Sequence, residues 1–241
     1  MSLDYALSDD MMIGAKYERA ARLAGIWFNA AQGTVNTYDD EISDSYDAFV
    51  RSSAFAGRLT VRANVFYTRI TNQQLFATLS TTPGDGEILN AQRSHNVGIE
   101  IESTWIDGGL NAWLSLGWLH AEFDKIEVGA VDFSGNDFPD APRWTVSIGF
   151  TYTQGNGLFV ENDATFRPET HGDLQNHPWV VNEQRTIVSA RLGWAFPKIN
   201  VSRYARNLLD ENDLDYHDAN PDPRELQEYL PGDPREVGVT V

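Results

Sequence analysis

Segment after segment of this chain alternates apolar and polar residues with a period of two, and keeps the alternation going for ten residues or more. From Arg58 to Tyr67 the apolar side chains Leu59, Val61, Ala63, Val65 and Tyr67 face one way and mostly polar ones face the other. Val97, Ile99, Ile101 and Trp105 oppose Asn96, Glu100, Glu102 and Thr104 in the same manner. Leu110, Ala112, Leu114, Leu116 and Trp118 form a third apolar face, Trp144 to Tyr152 a fourth, and Val188, Ala190, Leu192, Trp194 and Phe196 a fifth. Side chains alternate across a strand, so this pattern makes strands with one apolar face. Strands are expected near 10–18, 20–33, 44–55, 58–72, 92–105, 109–123, 143–154, 157–167, 180–196, 198–207 and 235–241. Most exceed the 9–11 residues with which a tilted strand crosses a bilayer, whereas globular strands average about 5–6.

The connections point the same way. Short turns are expected at Arg19-Ala20, Ala56-Gly57, Asp107-Gly108-Gly109, Gly155-Asn156-Gly157 and Pro197. Between them lie long polar loops at roughly 34–43, 73–91, 124–142, 168–179 and 208–234. Alternation of short and long fits an outer-membrane barrel, with tight periplasmic turns and long extracellular loops. With the long loops outside, Trp105, Tyr152, Trp194 and Phe196 fall at the periplasmic strand ends, and Trp118, Trp144 and Tyr67 toward the outer ends. All are on the face assigned to lipid, as two aromatic girdles would be. The fold class expected is all-β: an antiparallel up-and-down transmembrane β-barrel segment, about 11 strands of a probable 22-stranded barrel. A soluble β-rich interaction domain is the alternative from another class.

Composition excludes several functions. Lys plus Arg number 18 against 35 Asp plus Glu, a net charge of -17, and a nucleic-acid surface needs a basic stripe instead. The chain has no cysteine, so a disulfide framework, thiolate metal site or cysteine nucleophile is impossible. No apolar run reaches the length of a membrane helix, and Met1-Ser2-Leu3-Asp4 does not open a secretory signal. No G-x-S-x-G, H-E-x-x-H or Walker motif occurs, so no enzyme and no cofactor is expected.

Four motifs carry a resemblance. Arg51-Ser52-Ser53-Ala54-Phe55-Ala56-Gly57-Arg58-Leu59, leading into Asn64-Val65-Phe66-Tyr67, resembles the R-S-x-x-x-x-G-R-L and N-x-F-Y hairpin of TonB-dependent receptors. Asn96-Val97-Gly98-Ile99-Glu100 is similar to that family's G-x-E strand. Gly135-Asn136-Asp137-Phe138-Pro139-Asp140-Ala141-Pro142 resembles its G-N-x-x-P-x-A-P loop. Tyr204-Ala205-Arg206-Asn207-Leu208-Leu209-Asp210-Glu211 resembles Y-x-x-N-L-x-D-E. The resemblance covers essentially the whole chain and is nearest to siderophore receptors of the pesticin/yersiniabactin type.

The resemblance implies that residues 1–241 are the C-terminal part of a receptor barrel whose plug domain is absent from this chain. An odd count of strands with two free edges cannot close alone in lipid, and the family usually ends a few residues beyond Val239-Thr240-Val241, on an aromatic. The chain therefore looks like a fragment of a longer receptor. The implied function is uptake of a ferric siderophore across the cell outer membrane, energised by the TonB complex through the plug. The expected surroundings are outer-membrane lipid and lipopolysaccharide. Alternatives are uptake of another nutrient, such as cobalamin or a glycan, and a passive porin-type barrel.

Arg143, Arg167 and Arg185 share lumenal parity near the outer ends of three consecutive strands. Strands lie about 4.8 Å apart, so the three could converge on an anionic ferric ligand. The competing expectation is pairing with lumenal Glu161, Asp163 or Glu183. His171 and His177 share a loop, and Asp39-Asp40-Glu41 form an acidic cluster; both are more simply solvated than metal-binding. The stretch from Asp210 to Pro234, with Pro221, Pro223, Pro231 and Pro234, is expected to be solvated loop.

Overall fold

A computed structural model of the chain describes residues 1–78, 85–128, 131–212, 214–218 and 228–241, without the side chains at 78, 214–218 and 228–229. Its main element is one antiparallel sheet of eleven strands in sequence order. The strands are β1 (Ser2–Ser8), β2 (Met11–Arg22), β3 (Glu41–Ala54), β4 (Leu59–Thr78), β5 (Gly86–Asp107) and β6 (Leu110–Lys125). They continue with β7 (Trp144–Thr153), β8 (Leu158–Arg167), β9 (Arg185–Ala195), β10 (Asn200–Arg206) and β11 (Glu236–Thr240). Every strand pairs only with its sequence neighbours in this sheet, so β1 and β11 form its two edges. No helix of the structure is long and apolar enough to cross a membrane, which says nothing of strands.

The register confirms the expected faces. Ile148 of β7 stands directly opposite Leu114 of β6, and the next rung sets Ser147 against Ser115. On the apolar face Tyr46, Tyr67 and Val97 lie in one row, and Leu59 meets Trp105 nearer the turn end. This face is open: Val65, Ile148 and Leu192 are each at least half exposed. A water-soluble sheet would cover so large an apolar surface, and one left open in this way suits a bilayer. Strands of 14, 20, 22 and 16 residues in β3 to β6 are longer than a crossing requires.

Among the described residues the apolar core sits at the loop end of the sheet, where the outer ends of β4, β5 and β6 meet the loops. Phe123 and Ile126 are fully buried with Ala91 and Leu174, and Phe133, Phe138 and Leu75 pack against them. Phe123 and Phe138 rings sit 4.5 Å apart. Loop 126–143 and loop 168–184 are also latched by polar bonds. Asn176 Nδ2 donates to the Asp137 carbonyl (3.1 Å), its Oδ1 accepts the Asp137 N–H (2.7 Å), and Asn136 Nδ2 donates to the Leu174 carbonyl (2.9 Å).

The expected first hairpin is wrong. Arg19 and Ala20 sit inside β2, opposite Asp44 and Ser43, and the true turn is Asp9-Asp10. Aspartates favour turns through their side-chain bonds, while Arg-Ala carries no turn chemistry. The expected strand 20–33 joined the end of β2 to half of a separate loop hairpin, Gly25–Asn29 with Thr34–Tyr38, reversed at Gly33 (φ 65°). The expected loop 34–43 is thus partly strand. The loop 73–91 is also shorter than expected, because β4 and β5 stay paired out to Thr78 and Gly86. Small pairs subdivide three other loops: Glu127–Val128 with Val131–Asp132, Thr170–His171 with Val181–Asn182, and Leu214–Asp218 with Glu228–Pro231. Loop 208–234 therefore holds a hairpin; Pro221 and Pro223 lie outside the described residues.

The resembling motifs all sit at turns or tight contacts. Phe55, Ala56 and Gly57 all take positive φ in the β3–β4 turn, and Phe55 packs edge-on against Trp105 at 5.5 Å. Asn207 (φ 45°) is 3% exposed; it donates to the Glu211 and Asp233 carbonyls and accepts the Glu211 N–H, all within 2.9 Å. Its side chain thereby closes the turn that ends β10 and ties it to the segment entering β11.

Candidate functional site

The polar face carries a row of rungs across β8 and β9. Arg167 stands directly opposite Arg185, at the loop end of the sheet. Next inward come Thr165–Ile187, Asp163–Ser189 and Glu161–Arg191. The register thus sets two guanidinium side chains at one height, where like charges directly opposite are unfavourable unless other groups offset them. Neither arginine is without an interaction. Arg185 lines a groove of about 960 Å³ with Glu161, Asp163, Arg191, Tyr204 and Arg206. Glu161 pairs with Arg191 (3.6 Å), and Arg191 Nε also donates to Ser202 Oγ (2.9 Å). Glu161 is thus partly neutralised from the turn side, while Asp163 stands one polar-face rung closer to the two arginines.

Arg143 shares the parity but goes elsewhere. It precedes β7, and its Nη2 reaches Asp137 at 3.3 Å. The partner is a residue of its own loop, not one of the three acids on β8 and its neighbour loop. The structure therefore sets two of the three arginines opposite each other and ties the third to an aspartate of its own loop.

His171 and His177 do not converge. His177 Nδ1 meets Asp173 Oδ2 at 2.5 Å, and its ring stacks on Trp179 at 4.5 Å. Among the described residues no three His, Cys, Asp or Glu side chains gather as a metal site would need. Nearby, Ser134 donates both its hydroxyl and its backbone N–H to Asp132, which holds that carboxyl below its ordinary range.

Two features escaped sequence reasoning. On the polar face five glycines each lie opposite an aromatic: Gly14–Phe49, Gly98–Phe66, Gly149–Trp113, Gly193–Phe159 and Gly238–Tyr204. A Cβ added at Gly149 would lie 2.7 Å from the Trp113 ring, so the ring occupies the space a side chain would need. Such aromatic cover is how a sheet uses glycine without leaving a void. The signal was present as G-x-E at Gly98, but its partner is set by register, which sequence spacing does not give. On the apolar face, from the tyrosine row outward, ionisable groups appear. Arg19 approaches Asp44 (3.8 Å), His95 Nδ1 meets Asp124 (3.0 Å), and His120 Nε2 meets Glu122 (3.3 Å). Charge there marks where an apolar environment must end.

Comparison with known proteins adds to this geometry. A family model described as TonB dependent receptor-like, beta-barrel, matches residues 1–208. The fold is similar to the ferric yersiniabactin uptake receptor FyuA from Yersinia pestis, with a TM-score of 0.80 and 20% identity, covering 99% of this chain and 35% of that one. It is similar to the siderophore receptor PiuA from Acinetobacter baumannii (TM-score 0.75, 16% identity, 99% and 34% covered). It is similar, too, to the ferric-catecholate import receptor Fiu from K12 E. coli in its closed form (TM-score 0.73, 17% identity, 99% and 33%). This chain spans about a third of the length of the solved structures it matches.

Proposed function

From the premise that this chain belongs to the TonB-dependent receptor-like β-barrel family, we propose that it is wall and loops of an outer-membrane receptor that takes up a ferric siderophore. The family is one of receptors and transporters, and the chain's part is binding and passage, not bond-making. Energy for uptake comes, in this reading, from the TonB complex acting through a plug domain. Outer-membrane lipid and lipopolysaccharide surround the apolar face, whose exposed Val65, Ile148 and Leu192 call for such a cover.

The observation that carries the ligand assignment is the Arg167–Arg185 rung. It lies on the polar face, at the end where the loops gather, in a chain of net charge -17. A chain this acidic repels anions at long range, so an anionic ferric complex needs a local positive site. Guanidinium forks match carboxylate and catecholate oxygens. Arg143 stands at the edge of this patch and takes the ligand's outer portion on release from Asp137.

The test is direct binding of ferric citrate and a ferric tricatecholate to the purified receptor. Arg167→Ala and Arg185→Ala should each weaken the preferred complex by about 1–3 kcal/mol, the range for charge-assisted bonds. Arg143→Ala should cost less, and binding should weaken with rising salt. Iron uptake by cells should vanish when TonB is removed. Wild-type affinity in both Arg167→Ala and Arg185→Ala would leave these arginines structural; uptake without TonB would point to a passive pore.

A further inference from the structure

The seam between β7 and β8 opens at the loop end. Their register begins at Val146 opposite Phe166. The next backbone bond outward among the described residues joins the Asp140 N–H to the His171 carbonyl (2.9 Å). Pro142 and Pro168 lie in the interval, and neither has an N–H to donate. Asp140 takes φ 56°, in the left-handed region, so the strand does not simply continue there. The result is a slot of about 360 Å³, lined by Asp137, Arg143, Trp144, Glu169, Thr170 and His171 among others.

Among the described residues, two buried polar atoms of side chains that line this slot have no hydrogen-bond partner: Thr170 Oγ1 and His171 Nδ1. Thr170 is only 7% exposed. Buried polar groups are hydrogen-bonded almost without exception, so an orphaned pair in a cavity wall calls for something that both gives and accepts hydrogen bonds. The lining narrows what that is. One arginine faces two carboxylates, so the slot does not select an anion. Indole and proline surfaces flank the polar groups, so it does not select a small hydrated ion. Donor-only, acceptor-only and dual groups around an aromatic plane match a neutral ring with many hydroxyls and an apolar CH face.

We infer that this slot binds a sugar ring, with Trp144 as the platform and Thr170 and His171 as partners for its hydroxyls. Trp144 is 53% exposed on the apolar face, in the aromatic row at the loop end, and its ring leans on Trp118 at 6.4 Å. The ring can therefore belong to a glycolipid of the surrounding leaflet or to a free saccharide. Neither Arg167 nor Arg185 lines it, so the site does not depend on their rung, and it shares with the proposed ligand patch only Arg143.

The test is saturation-transfer NMR on the whole receptor in a sugar-free amine-oxide detergent. The probes are methyl glycosides of glucose, galactose and mannose, N-acetylglucosamine, and detergent-dispersed lipopolysaccharide. Irradiating aromatic protons should transfer saturation to the CH protons of at least one probe. Transfer to the free glycosides means a saccharide source; transfer to lipopolysaccharide alone means a membrane glycolipid. Thr170→Val, nearly isosteric, and Trp144→Leu should each weaken binding by roughly fivefold or more. Ferric-complex binding by both variants shows that they are folded and leaves the arginine reading untouched. No transfer to any probe, or transfer unchanged in both variants, overturns the sugar site.

Discussion

Asp132 shows how single side chains shape the loop end. Its carboxyl is held below the ordinary aspartate range first by the Ser134 hydroxyl and then by the Ser134 N–H. A depressed folded-state value stabilises the loop above the unfolded pKa, about 3.9, and that contribution fades as pH falls through the lower folded value. Opening of the 131–134 turn should thus be unchanged from neutral pH down to about 5 and should rise only in stronger acid. Carboxyl-carbon NMR should place the Asp132 midpoint higher in Ser134→Ala; an unmoved midpoint would mean that the bond does not persist in solution. Much at this scale was legible in sequence. Arg143, Arg167 and Arg185 share the polar face as parity required. What parity could not supply was reach: an arginine spans several rungs, and Arg143 turns to Asp137 across a two-proline bend.

At the scale of strands, the two faces make opposite demands. Leu114 and Ile148 meet on the apolar face, and Ser115 and Ser147 on the other. Leu114→Arg or Ile148→Arg should cost about 2–4 kcal/mol of barrel stability, as a cation does at the bilayer midplane. Ser115→Arg and Ser147→Arg should be milder in urea unfolding from vesicles; equal losses would reverse the face assignment. Gly149 tests the polar face itself. Its added methyl would press on Trp113 and on the Asn162 carbonyl at 2.8 Å. Gly149→Ala should lose about 1–3 kcal/mol in the same assay, the usual cost of overpacking, whereas Gly155→Ala, which meets nothing within 4 Å, should lose far less. Strand interiors were readable because alternation is a strong signal. Ends were not, because Ile26, Trp27 and Phe28 look equally apolar in a loop hairpin, where Trp27 packs on Phe76 at 5.4 Å and bonds the Gly86 carbonyl. That tertiary contact, 59 residues away in sequence, leaves no local trace.

For the whole molecule, the long-loop end and the short-turn end should lie on opposite sides of a membrane. This chain has no cysteine, so single introduced thiols can report on its two ends. Ser134→Cys should react with an impermeant maleimide in intact cells, and Asn156→Cys should react only after the membrane is opened; the reverse result would invert the topology. The sheet's two edges have a further consequence. Counting along eleven strands that reverse at every step, the first and the last run in the same direction. Setting β1 against β11 directly would make a parallel seam, which differs in bond pattern from every other seam of this wall. Antiparallel closure needs an intervening set of strands whose number is odd. Eleven plus an odd number is even, so the arithmetic of chain direction alone places any fully antiparallel ring containing this sheet among the even-stranded barrels.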